Sequence, residues 1–203
     1  MKIKLLLSFS IIIISFSSFA KDEIVLKIAP VIGYNYTWID ATSTYGDGES
    51  DADGMAYGLD LSAGKVFSDK VTMGAELSYQ VTQDPDLEVN GTEISGSDID
   101  LTLTTVKLGP FVRYFVSKSF YLSGSFGFSS FWSAGSDDAM DPTAYGVGFS
   151  IGAGYDYWIN NKFGVGFFTD LVAQYTWAED NGTDYFVQSA YLPNIGIAAC
   201  IKM

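Results

Sequence analysis

Apolar side chains recur at every second position along most of this chain. From Ile24 to Trp38 one parity carries Ile24, Leu26, Ile28, Pro30, Ile32, Tyr34, Tyr36 and Trp38, and the other Lys27, Ala29, Val31, Gly33, Asn35 and Thr37. Val106, Leu108, Pro110, Val112 and Tyr114 alternate in the same way with Thr105, Lys107, Gly109, Phe111 and Arg113. Phe163, Val165, Phe167, Leu171 and Tyr175 stand against Gly164, Gly166, Asp170, Gln174 and Thr176. Side chains two apart share one face of a strand, so this period marks strands with unlike surroundings on their two sides. It predicts eight of them, over 24–38, 56–67, 71–82, 101–116, 120–132, 144–159, 163–177 and 187–202. Pro30 and Pro110 lack an amide donor and are expected at local bulges.

The connections alternate as well. Ser68-Asp69-Lys70, Ser117-Lys118-Ser119 and Asn160-Asn161-Lys162 make short turns, and 39–55, 83–100, 133–144 and 178–186 make wide loops. In the second wide loop, residues 87–94 read as a hairpin around Asn90-Gly91, with Glu88 opposite Glu93. Strands three and four are then expected to project past the rest. Asn181-Gly182 is expected to turn the fourth loop in the same manner.

The distribution of charge orients these strands. Their apolar faces lack charge except for Lys65, and they end in aromatic residues. Tyr36, Trp38, Tyr57, Tyr79, Trp132, Tyr145, Tyr175 and Trp177 fall at the loop end; Tyr114, Phe120, Tyr155, Tyr157 and Phe163 fall at the turn end. Two aromatic girdles around an apolar band suit a lipid-facing surface rather than the outside of a soluble lipocalin-like barrel. The fold expected is all-β: an eight-stranded antiparallel up-and-down transmembrane β-barrel.

The opposite parity carries Lys27, Asp60, Glu76, Lys107, Arg113, Asp156, Asp170 and Lys202. A Lys or Arg facing lipid at the bilayer midplane costs about 2–4 kcal/mol. Inside an eight-stranded barrel, only just wide enough for side chains, such groups can pair instead. A lumen ion network is therefore expected, and it would specify and seal the interior more than it adds net stability. Gly146, Gly148, Gly152, Gly154, Gly164 and Gly166 lie on this inner parity. They leave room for long Lys and Arg side chains, or else line a water-filled groove.

Lys2 and Lys4, the apolar run Leu5 to Phe16 and the small residues Ser18 and Ala20 form a secretory signal pattern. Residues 1–20 are expected to be a signal peptide, and 21–203 one barrel domain beginning at Lys21. The lone Cys200 cannot form an internal disulfide and is expected to be a small wall residue. The net charge of −13 disfavours nucleic acid, which needs a basic surface.

Taken together, the chain resembles the eight-stranded outer-membrane barrels of Gram-negative bacteria, the OmpA/OmpX-like and opacity-protein-like group. The likeness spans nearly the whole mature chain and rests on the signal pattern, the loop-and-turn rhythm, and segments such as VKLGPFVRYF (106–115) and FSIGAGYDYW (149–158). It implies a bacterial outer-membrane location, with a periplasmic N-terminus and extracellular long loops. Barrels of this group usually end in an aromatic residue, whereas this chain ends Ile201-Lys202-Met203. No peptidoglycan-binding domain is expected after the last strand.

The chain has no histidine. The enzymes that resemble it on small outer-membrane barrels work through a histidine, the commonest proton carrier near neutral pH. An enzyme is therefore not expected, nor is a cofactor. The four wide loops hold 17 acids and no Lys or Arg. Such acids keep a surface soluble and repulsive, or bind divalent cations that bridge them to one another or to lipopolysaccharide. Glu49, Asp51 and Asp53 precede Gly54 at alternate positions, as in a calcium loop, with Asp60 in the twelfth place; yet Asp60 belongs inside a strand and no helices flank the run. Glu49, Asp51, Asp53, Glu88 and Glu93 are thus weak candidates for cation contacts, and no dedicated metal site is expected. The function expected is that of a monomeric, non-enzymatic surface protein with a side-chain-filled, charge-paired lumen. Its acidic loops would make structural or adhesive contacts with lipopolysaccharide, a host molecule or a neighbouring cell. The alternative is a narrow channel for small solutes or cations.

Overall fold

A computed structural model describes residues 23–43, 46–89, 91–95, 100–134, 143–180 and 182–203. The expected signal peptide, its cleavage point, Asp98, Asp137, Asp138 and Asp141 lie outside the described residues. The described residues form ten strands: β1 (Ile24–Ser43), β2 (Gly46–Ser68), β3 (Val71–Gln83), β4 (Asp86–Val89), β5 (Thr92–Ser95), β6 (Thr102–Phe115), β7 (Phe120–Ala134), β8 (Ala144–Trp158), β9 (Phe163–Asp180) and β10 (Thr183–Lys202). Eight of them close antiparallel into a barrel in the order β1-β10-β9-β8-β7-β6-β3-β2, with β2 returning to β1. Closure leaves the wall with no open edge.

Alternation becomes inside and outside. On β1, Ile24, Ile28, Ile32, Tyr34 and Tyr36 are exposed, while Val25, Lys27, Ala29, Val31, Asn35 and Thr37 are buried. β6 and β9 repeat this, with Leu108, Val112, Tyr114, Phe163, Phe167 and Leu171 outside and Lys107, Phe111, Arg113 and Gln174 inside. Ser117 Oγ accepts the Phe120 amide at 3.0 Å, and Asn160 Oδ1 accepts the Lys162 and Phe163 amides at 2.8 and 2.9 Å. These side chains replace a backbone acceptor, which is why small polar residues sit at the tight turns.

Three expectations need correction. The first wide connection is mostly strand: β1 and β2 stay in register from Ile24 opposite Lys65 to Ser43 opposite Gly46. The fourth is the hairpin expected there, with Asp180 opposite Thr183 and Gly182 at φ 80°, but its strands run further into the connection than expected. Towards the tips of these strands both faces are largely polar, so no apolar alternation announces them. Pro30 and Pro110 are not bulges. Register is the same on both sides of each, and the ladder simply omits the pairs at Ala29 and Pro30 towards β10 and at Gly109 and Pro110 towards β7. A missing donor is thus tolerated by dropping ladder pairs instead of inserting a residue.

The second wide connection does contain the 87–94 hairpin, formed by β4 and β5, with Glu88 opposite Glu93 and Gly91 at φ 78°. β4 resumes the partnership of β3 with β2 beyond Asp84, at φ 48°, and Pro85; Asp53 to Ser50 of β2 pair with Asp86 to Val89. β5 pairs with β4 and does not prolong β6.

Candidate functional site

Inward-facing strand positions stack the interior in layers. Near the turn end, Lys27 Nζ lies 2.5 and 2.6 Å from the two carboxylate oxygens of Asp156. It also lies 4.3 Å from the centre of the Tyr121 ring. Higher up, Lys107 Nζ donates to Glu76 at 3.1 Å, Ser125 at 2.5 Å and Ser150 at 2.9 Å. Asp170 accepts from Asn194 at 2.9 Å. Arg113 donates through Nη2 to Ser62 at 2.8 Å, lies 4.2 Å from the Phe111 ring centre, and has no partner at Nη1. Asp60 is partly buried, with Oδ1 unpartnered. Lys202 sits at the turn-side mouth, 3.0 Å from Glu23 and 4.3 Å from the Trp158 ring centre. Cys200 is buried in the wall beside Ala29 and Ala198.

The fold therefore brings together Lys27 with Asp156 and Lys107 with Glu76 across several strands. Lys202 takes Glu23 as its partner, a residue the strand pattern did not single out. Several of the inner glycines are covered by lumen side chains. A methyl group at Gly148 would meet the Lys107 stem at 3.0 Å, and one at Gly154 would strike the Tyr121 ring.

Sequence reasoning missed two layers. One is uncharged and polar: Tyr191 is fully buried and shares a 2.7 Å hydrogen bond with Thr105, while Thr37 and Ser189 are joined at 3.0 Å. The other is apolar and lies at the loop end, where Ala52, Leu87, Leu101, Leu103, Phe131, Ala144 and Val187 pack together. Leu101, Leu103 and Phe131 share the inner parity of Thr105, Lys107 and Ser129, and that parity was the available signal. A cavity of about 210 Å³ opens at the turn end, and one of about 30 Å³ lies beside Asp60, Arg113 and Asp170.

Among the described residues, most acids of the loop end lie on strands, Asp84 and Asp100 excepted. Asp51 pairs with Glu88 and Glu88 with Glu93, Asp53 pairs with Asp86, and Asp40 pairs with Glu49. Paired residues share a face, so like charges stand directly opposite one another, a destabilising arrangement. The run from Glu49 to Asp53 is extended and does not curl around a point, so its alternate carboxylates express the strand period. Tyr34 Oη donates to Asp53 on this same outer face.

No protein-family model and no curated protein sequence matches the chain. Solved structures do. The outer membrane protein OprG from Pseudomonas aeruginosa superposes with a TM-score of 0.59 at 12% identity, over 91% of this chain and 97% of that one. The fold is that of an eight-stranded outer-membrane β-barrel. Neisserial surface protein A gives a TM-score of 0.49 at 12% identity over 91% and 99% of the two chains. Ail, the attachment invasion locus protein of Yersinia pestis, crystallised with the heparin analogue sucrose octasulfate, gives 0.45 at 10% identity over 87% and 99%. At such identities the likeness is one of fold.

Proposed function

We propose that this barrel is a non-enzymatic surface protein of the bacterial outer membrane, monomeric, with its short turns in the periplasm and its long hairpins outside the cell. Its interior is structural, and its contacts are made by the acidic sheet of β1, β2, β4 and β5. The observation that carries this reading is the apolar layer from Ala52 and Leu87 to Phe131 and Val187, which packs the loop end of the lumen while the carboxylates stand on the outer face of the strands beside it. Ions crossing that layer would have to leave water without gaining a polar partner. The sheet offers adjacent carboxylates to cationic partners, including divalent ions shared with lipopolysaccharide.

The alternative, a narrow channel, draws on the turn-end cavity of about 210 Å³ and requires the apolar layer to part. Single-channel recording of the refolded protein separates the two. The surface role predicts no steady conductance in the native chain. A steady conductance that disappears when bulk is added at the inner glycines would establish the channel instead. Deleting residues 86–95 should then weaken adhesion of cells displaying the barrel to anionic surfaces in the presence of Ca²⁺. Unchanged adhesion would remove the sheet as the contact element.

A further inference from the structure

The turn-end cavity lies at the opposite pole from the acidic sheet, and the surface role makes no use of it. Its volume of about 210 Å³ is far above the ~10–15 Å³ that holds one water. It is below the ~300 Å³ at which pockets begin to take drug-sized ligands. An occupant would have only a few heavy atoms.

Charge at the cavity is unevenly satisfied. Two of its lysines already have carboxylates: Lys27 holds Asp156 at 2.5 Å, and Lys202 holds Glu23 at 3.0 Å. At the rim, Asp69 and Lys118 are exposed and of opposite sign. Arg113 is different. It is 7% exposed, its one hydrogen-bonding neighbour is the neutral Ser62 hydroxyl, and Nη1 has no partner. Its guanidinium cannot be deprotonated in a protein, and no carboxylate hydrogen-bonds it: Asp60 and Asp170 line the small cavity beside it and offset its charge only at longer range. Stacking on Phe111 at 4.2 Å holds the guanidinium in place. A planar, fixed fork of donors is the arrangement that recognises a carboxylate or phosphate.

The rest of the lining narrows the choice. Val25, Val66, Phe115 and Trp158 supply apolar wall. A bare inorganic ion would leave that wall against water, whereas an anion with a short apolar body would cover it. The geometry points to a binding site for a small organic carboxylate at the turn-side mouth, its head group on Arg113 and its body between Phe115 and Trp158.

The full mature barrel, refolded in micelles, is titrated calorimetrically with benzoate, with its neutral counterpart benzamide and with inorganic phosphate, each against a micelle blank. Saturable benzoate binding is expected, with benzamide and phosphate at least tenfold weaker. Arg113→Gln removes the charge, and Val66→Trp fills the cavity without altering charge; each should weaken benzoate at least tenfold. Absence of benzoate binding, equal binding of benzamide, or benzoate binding unaffected by Val66→Trp would overturn the site. Phosphate binding as tight as benzoate would overturn the apolar half of it. If Arg113→Gln does not refold, Val66→Trp and the benzamide comparison decide. Since adhesion is read at the other end of the barrel and benzoate binding only at the turn-side mouth, this site stands or falls independently of the surface role.

Discussion

Replacing Lys27 by Met tests how far the interior depends on completed pairs. Lys27 and Asp156 are 5% and 1% exposed, and both carboxylate oxygens are within 2.6 Å of the ammonium. At 2.5 Å and an effective dielectric of about 20, the attraction is roughly 7 kcal/mol. Desolvating two ions costs several kcal/mol each, so the intact pair adds little net stability. Breaking it is another matter, because Met at position 27 leaves Asp156 as a lone buried charge. Lys27→Met should therefore cost about 3–5 kcal/mol. The lower end applies if Arg113, which also lines the turn-end cavity, turns towards the orphaned carboxylate. The double variant Lys27→Met/Asp156→Leu removes both charges and should come within about 2 kcal/mol of the native chain. The assay is reversible urea unfolding of the barrel in lipid vesicles, followed by tryptophan fluorescence, in a complete double-mutant cycle. A double variant whose loss equals the sum of the single losses would refute the reasoning.

Three other outcomes follow from particular contacts. Glu93→Lys turns the like-charged Glu88–Glu93 pair into an attractive one and should stabilise the β4–β5 hairpin by about 0.2–1 kcal/mol, seen as slower amide exchange over Thr92–Ser95. Gly148→Val should lower barrel stability by about 1–3 kcal/mol through collision with the Lys107 stem. By contrast Gly124→Ala, whose nearest new contact is at 3.8 Å, should stay within about 0.5 kcal/mol in the same urea titration. Gly91→Val places a branched side chain at φ 78° and should cost about 1–2 kcal/mol, with loss of hairpin exchange protection but an unchanged urea midpoint for the barrel.

The strands within the apolar band were legible because lipid on one side and packed side chains on the other impose a strict period of two. The same contrast placed Lys27, Lys107, Arg113 and Asp156 inside. Where the contrast ends, so did legibility. The tips of β1 and β2, from Asp40 to Ser43 and from Gly46 to Asp51, are largely polar on both faces, and the alternation of Glu49, Asp51 and Asp53 was read as the spacing of a loop when it was that of a strand. Which inner charges meet was also out of reach. Lys27 and Asp156 lie 129 residues apart, and their contact depends on barrel shear and stagger, which one sequence does not state. Leu87 was read as part of a hairpin, but not as packing with Ala52, since that depends on β4 pairing with β2.

The length of the first hairpin has a mechanical consequence. A tilted strand crosses a bilayer in about 9–11 residues, whereas β1 runs for 20 and β2 for 23. About half of each is therefore mast rather than wall, braced by ladder pairs up to Ser43 and Gly46. A floppy loop of equal length would lose backbone freedom on meeting a partner, and that loss would weaken the complex. Here the ordering is completed when the chain folds. The carboxylates are held at fixed spacing and at a height set by the strands, so a partner meets a stiff charged ruler.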